Sequence, residues 1–144
     1  ALLHLHAQGA DDEDWVLVHD AARPNLSRDD LDKLLAELAD DPVGGLLAVP
    51  ARDTLKRIDK HGRVVETVDR SVIWQAYTPQ MFRLGALHRA LADSLVADAV
   101  ITDEASAMEW AGQAPRLIEG RADNLKVTRP EDLEWLRQRW ANRR

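Results

Sequence analysis

The sequence predicts an α/β fold built around a sheet, and three observations predict it. The run Trp15-Val-Leu-Val18 is short and apolar and ends in the polar segment Asp20-Ala-Ala-Arg-Pro24, as a strand does where it leaves a core. Leu31, Leu34, Leu35 and Leu38 then recur at helical spacing. A second apolar run, Gly45-Leu-Leu-Ala-Val-Pro50, follows, so strand, helix and strand succeed one another over about one crossover unit.

Composition bounds what such a domain can be. With 144 residues, 45% of them hydrophobic, the chain has the size and apolar content for one domain, residues 1–144, around one core. Its 25 acidic against 19 basic residues give a formal charge of −6, which disfavours a nucleic-acid or anionic-membrane surface. No apolar run reaches the roughly 18 residues that span a bilayer. The absence of cysteine excludes disulfides and thiol chemistry and is compatible with a cytoplasmic setting.

Each element has its own local reason. Ala1 to Gly9 lacks an initiator methionine and reads as the last turns of a helix closed by Gly9 in the left-handed region, so the chain is expected to be truncated at its N-terminus. Ser27 caps the helix that carries the leucine stripe, with Asp29 and Asp30 in its first turn, and Pro42 lies beyond its end. Thr54–Ile58 and Arg63–Val68 are two mostly polar strands around a turn at Lys60-His-Gly62. Neither has a full apolar face, so residues of about 51–77 are expected to form an arm lying on something else, such as a second subunit. Thr78-Pro79-Gln80 reads as a rigid turn before a helix with Leu84, Leu87, Leu91 and Leu95 on one stripe, and Val100-Ile101 as the edge of a buried element. Thr102 is expected to cap a helix running to Gly112, Arg116–Glu119 to form a strand, and Thr128-Arg-Pro-Glu131 to open an amphipathic terminal helix by a capping box. Arg137, Arg139, Arg143 and Arg144 would decorate that helix's end. The five tryptophans are read as core or interface residues, and the five histidines as too scattered for a zinc site.

Several loops bear chemistry. Asp20, just past a buried strand, stands where open α/β sheets bind ligands and can hold a magnesium ion, and Arg23 can bind a phosphate bidentately. A loop salt bridge accounts for the same spacing. Thr54 and Arg70 lie at the two ends of the arm, where a hairpin would bring them together to grip a phosphate; a solvated hairpin with alternating charges accounts for them too. Lys126, ahead of a capped helix, can place a point charge on a transferring phosphate, or be a solvated charge near a cap. Thr102-Asp-Glu104 needs no ligand beyond the helix it caps.

Taken together and in order, His19-Asp-Ala-Ala-Arg-Pro24, Asp53-Thr-Leu-Lys-Arg57, Val68-Asp-Arg70, Thr78-Pro-Gln80, Thr102-Asp-Glu-Ala105 and Arg121-Ala-Asp-Asn-Leu-Lys-Val-Thr128 resemble the signature of the methylerythritol-phosphate cytidylyltransferases over nearly all of the chain. The resemblance implies a Rossmann-like nucleotidyltransferase fold with a mostly parallel sheet, a homodimer formed through exchange of the β-arm, and magnesium-dependent transfer of CMP from CTP to methylerythritol phosphate. It implies Asp20 at the metal, Lys126 on the α-phosphate, Arg23 and Thr78 in the sugar-phosphate pocket, and Thr54 and Arg70 reaching the partner's substrate. The family's glycine-rich loop for the CTP triphosphate has no counterpart in these residues, so by themselves they are expected to be inactive. Two alternatives stand beside this reading: a ribitol-phosphate cytidylyltransferase, and a noncatalytic dimerisation or ligand-binding module.

Overall fold

The computed structural model describes residues 1–141, and Arg143 and Arg144, expected to end the terminal helix, lie outside the described residues. A short helix, α1 (Leu2–Ala7), ends at Gly9, whose φ of 95° is the left-handed value expected of it. Strand β1 (Trp15–Val18) leads to α2 (Arg28–Leu38), capped by the Ser27 hydroxyl, which accepts from the Asp30 amide at 3.1 Å. Of the leucine stripe, Leu34 and Leu38 are buried, whereas Leu35 is exposed. Strand β2 (Gly44–Pro50) is buried almost throughout, and β3 (Leu55–Ile58) and β4 (Val64–Val68) form the hairpin read from the sequence.

The element missed by sequence reading is the longest strand, β5 (Trp74–Arg83), which contains the Thr78-Pro-Gln80 segment expected to be a turn. Proline within a strand is tolerated where the ladder is interrupted. Pro79 follows a cis peptide bond inside such an interruption: Leu46 pairs with Gln80 and Ala48 with Ala76, so two steps along β2 answer four along β5. There the missing proline N–H removes no ladder bond.

Helix α3 (Leu84–Val96) buries Leu84, Leu87 and Ala90, but its stripe turns inward to Ser94 and leaves Leu95 in solvent. Val100, expected to be buried, is also exposed. Helix α4 (Glu104–Trp110) is capped by Asp103 rather than Thr102, through a box in which the Asp103 carboxylate accepts from the Ser106 amide and the Ser106 hydroxyl accepts from the Asp103 amide. Strand β6 (Arg116–Glu119) matches its expected bounds. Helix α5 (Pro130–Ala141) is opened by Asp132, not Glu131: the Asp132 carboxylate accepts from the amides of Thr128 and Arg129.

The strand order is β1-β5-β2-β6. Strands β1 and β2 are each antiparallel to β5, and β6 is parallel to β2, so three strands share one direction and the sheet is mixed, with one adjacent parallel pair among the described residues. Because neighbours along a strand face opposite ways, Leu46 and Phe82 join α3 and α4 on one face. Leu47, Met81 and Ile118 join α2 on the other. None of the tryptophans is fully buried; Trp15 packs against the α2-side core and lies under the Arg83 guanidinium, 3.7 Å from its ring centroid. Strands β3 and β4 make a sheet of their own, with Ile58, Val64 and Val65 exposed. No helix among the described residues is long and apolar enough to cross a membrane.

Close approach of β2 and β6 demands glycine at position 45, where an added Cβ would stand 2.0 Å from the Arg116 carbonyl oxygen. Gly45→Ala should therefore destabilise the fold by about 2 kcal/mol or more, the scale of overpacking a core. At Gly112, where no atom lies within 4 Å of the added Cβ and only the positive φ is strained, the same change should cost about 1 kcal/mol. Urea denaturation of both variants tests the ordering.

Candidate functional site

Since β1, β2 and β6 run the same way, the loops that follow β1 and β6 emerge at one edge of the sheet, where α/β folds bind ligands. Residues 20–25 and 121–127 lie alongside one another there. The Val127 amide donates to the Ala22 carbonyl at 2.7 Å, Arg23 Nη1 to the Asn124 carbonyl at 2.8 Å, and Asn25 Nδ2 to the Asp123 carbonyl at 2.7 Å. Strand β5 closes the third side, because its pairing of Val18 with Gln80 carries Thr78 opposite the start of the first loop.

A cavity of about 380 Å³ opens between these segments, lined by Asp20, Arg23, Thr78 and Lys126 among others. Four of the six residues singled out from the sequence thus meet in one place. Asp20 Oδ2 is 2.7 Å from Lys126 Nζ. Its Oδ1 accepts from the Ala22 amide at 3.0 Å, and its own amide donates to Thr78 Oγ1 at 3.0 Å. The bond from Lys126, helped by the Ala22 amide, holds the Asp20 carboxyl below its ordinary value of 3.8 and outweighs partial desolvation.

Arg23 is buried at 9% exposure and largely committed to the fold. Besides Asn124, it reaches the Ala76 carbonyl and lies 4.2 Å from the centroid of the Tyr77 ring, while burial lowers its pKa. Thr54 and Arg70 do not line this cavity. They flank the terminal β3–β4 pair, Leu55 with Val68, at the root of the arm, where the Arg70 guanidinium donates to the Arg52 carbonyl.

Two residues lie in motifs read from the sequence, but were given no role of their own there. Asn124 is fully buried and donates through Nδ2 to the Thr78 carbonyl at 2.8 Å, tying the Lys126 loop to β5. Gln80, also buried, donates to Asp103 Oδ2 and accepts from the Ala105 amide, fixing the N-terminus of α4 at the cavity wall. Its position beside a proline pointed locally to a turn, and the Thr78-Pro-Gln80 motif gave it no role of its own.

Comparison with known proteins gives the family. The family model of 2-C-methyl-D-erythritol 4-phosphate cytidylyltransferase matches residues 2–137. The chain belongs to this family. A cytidylyltransferase of that name from Pseudomonas fluorescens (strain Pf0-1) is 96% identical over all 144 residues, and one from Pseudomonas putida (strain F1) is 84% identical. The chain spans 61% of the length of each of these relatives. Among solved structures, a 4-diphosphocytidyl-2C-methyl-D-erythritol synthase superposes with a TM-score of 0.88 at 48% identity, covering 96% of this chain and 63% of that one. The cytidylyltransferase of Thermus thermophilus superposes at 0.79 with 28% identity, over 93% of this chain and 64% of that one.

Asp20 and Lys126 give a signature in solution. With its pKa depressed, Asp20 contributes stability that is complete above the ordinary carboxylate range and is lost as pH falls through the lowered value. In a carboxyl NMR titration its midpoint should lie below 3.8, and Lys126→Ala should move it upward. Asn124→Ala should cost about 1–3 kcal/mol in denaturation, because it leaves the partly buried Thr78 carbonyl without its donor.

Proposed function

We propose that the protein containing this chain transfers CMP from CTP to 2-C-methyl-D-erythritol 4-phosphate, releasing pyrophosphate, in isoprenoid biosynthesis by the non-mevalonate route. The observation that carries this is the Asp20–Lys126 pair, 2.7 Å apart on a cavity that Arg23 and Thr78 also line. In the reaction an oxygen of the sugar phosphate attacks the α-phosphorus of CTP, the bond from that phosphorus to the bridging oxygen breaks, and pyrophosphate leaves. Lys126, half exposed at the cavity, would stabilise the charge that builds on the α-phosphate. Arg23 would act by shaping the sugar-phosphate pocket, and Thr78 by offering its hydroxyl there.

The donor set fits magnesium of a particular kind. Among the described residues no cluster of three or more histidine or carboxylate side chains forms a metal cage. Magnesium bound to nucleotides takes one or two carboxylates and completes its shell with phosphate oxygens and water, so Asp20 alone is a sufficient protein anchor. When bound there, the ion would draw the phosphate oxygens together and offset their charge.

The arm supports a homodimer. A two-stranded ribbon is marginal in water, and Ile58, Val64 and Val65 of this one are exposed, as an arm that packs on a second copy requires. Thr54 and Arg70 at its root would then reach the partner's sugar phosphate. Residues 1–144 would form one α/β unit with this arm at about 51–77. The absence of cysteine supports a cytoplasmic setting. The names carried by the relatives favour methylerythritol phosphate over ribitol phosphate, and the Asp20–Lys126 pair favours a catalyst over a binding module.

Turnover of CTP by the full-length protein tests this. Methylerythritol phosphate should be the preferred acceptor, and preference for ribitol phosphate reverses the assignment. Lys126→Ala should lower kcat by about a hundredfold or more. Arg70→Ala should raise KM for the sugar phosphate by about ten- to a hundredfold with little change in kcat, as loss of a charged hydrogen bond does.

A further inference from the structure

Beside the catalytic pair, the ring of His19 bridges two segments of the site. Its Nε2 lies 3.0 Å from the Arg23 carbonyl oxygen and its Nδ1 lies 2.9 Å from Thr78 Oγ1. A carbonyl oxygen only accepts, so Nε2 carries the hydrogen. In the neutral imidazole Nδ1 is then an acceptor, and the Thr78 O–H must donate to it. One lone pair of the same hydroxyl is taken by the Asp20 amide at 3.0 Å. The hydroxyl therefore has a single lone pair left, on a residue that lines the cavity.

We propose that His19 is a positioning residue that fixes Thr78 as a hydrogen-bond acceptor, so that this wall of the pocket reads a hydroxyl group of the polyol substrate and not an anionic oxygen of its phosphate. The proposal deepens the functional reading above and rests on it. It divides the recognition of a sugar phosphate by chemistry: cations meet the phosphate, and the Thr78 oxygen, held by His19, meets a hydroxyl donor. The same ring braces the turn that carries Asp20, in which the Arg23 amide donates to the Asp20 carbonyl at 2.8 Å. His19 thus sets both the orientation of Thr78 and the shape of the loop beside it.

The test uses the full-length protein at about pH 8. Ring nitrogen-15 NMR of His19 should show a protonated Nε2 and a bare Nδ1; a protonated Nδ1 overturns the proposal. In kinetics, His19→Gln can keep a donor for the Arg23 carbonyl but loses the acceptor for Thr78. It should raise KM for the polyol phosphate about five- to tenfold, the scale of one neutral hydrogen bond, with KM for CTP unchanged. His19→Asn, which can set an oxygen near the place of Nδ1 but loses the donor to the Arg23 carbonyl, should raise the polyol-phosphate KM less than His19→Gln does. Thr78→Val should raise the same KM, and the double variant His19→Gln with Thr78→Val should be no worse than Thr78→Val alone, because both act through one hydroxyl. Multiplying effects, or a change in the CTP KM instead, overturn the proposal. Absence of any cytidylyl transfer by the wild-type protein would overturn the functional reading and the ligand half with it, while the ring spectrum still decides the tautomer.

Discussion

The arrangement depends on one strand set against its neighbours. β5 runs antiparallel between β1 and β2, and it must satisfy both ladders while carrying a proline that cannot donate to either. The interruption at Thr78–Pro79 resolves the conflict on the β2 side by using extra residues of β5, and the pairing of Val18 with Gln80 holds the β1 side in register. The irregular stretch therefore falls beside the end of β1, where the Thr78 hydroxyl meets the Asp20 amide and the Thr78 carbonyl meets Asn124. What weakens the sheet locally is what frees main-chain and side-chain groups to build the site. Bulges beside ligand sites commonly serve this end.

Around that strand, charge is held by geometry instead of by deep burial. Asp20 and Lys126 stay partly exposed, so their attraction is tempered by water and remains open to rearrangement. Arg23 is the opposite case, a buried cation under an aromatic ring with carbonyl oxygens as its acceptors. A buried charge needs such partners, and these ones also join three segments of chain. The site thus combines a rigid cation that shapes it with an exposed pair that can respond to ligand.

Where local pattern decided an element, the sequence was readable. Ser27 with its leucine stripe, the apolar β2, the β3–β4 turn at Gly62 and the short β6 all follow from spacing and turn chemistry, and all stand in the structure. β5 was not readable because Pro79 carries a local turn signal that long-range pairing overrides. Thr102 and Asp103 are both good caps, and the bond from Gln80 together with the reciprocal pair with Ser106 favours Asp103. Leu95 was placed inside by its spacing on the α3 stripe and Val100 by its apolar neighbour Ile101, and neither signal says where the chain turns away from the core. Asp20, Arg23, Thr78 and Lys126 could be named in advance through the ordered motifs, whereas the partners of Arg23 and Asn124 lie 101 and 46 positions away and leave no mark in local spacing.

The ties that assemble the cavity share a feature with evolutionary meaning. Arg23, Asn25 and Asn124 donate to the main-chain carbonyls of Asn124, Asp123 and Thr78. Every residue type supplies a carbonyl, so the accepting end of each tie survives replacement of the side chain at that position. The information needed to keep the loops together is therefore concentrated in a few donors. A scaffold wired in this way can change what its cavity binds without first losing the cavity.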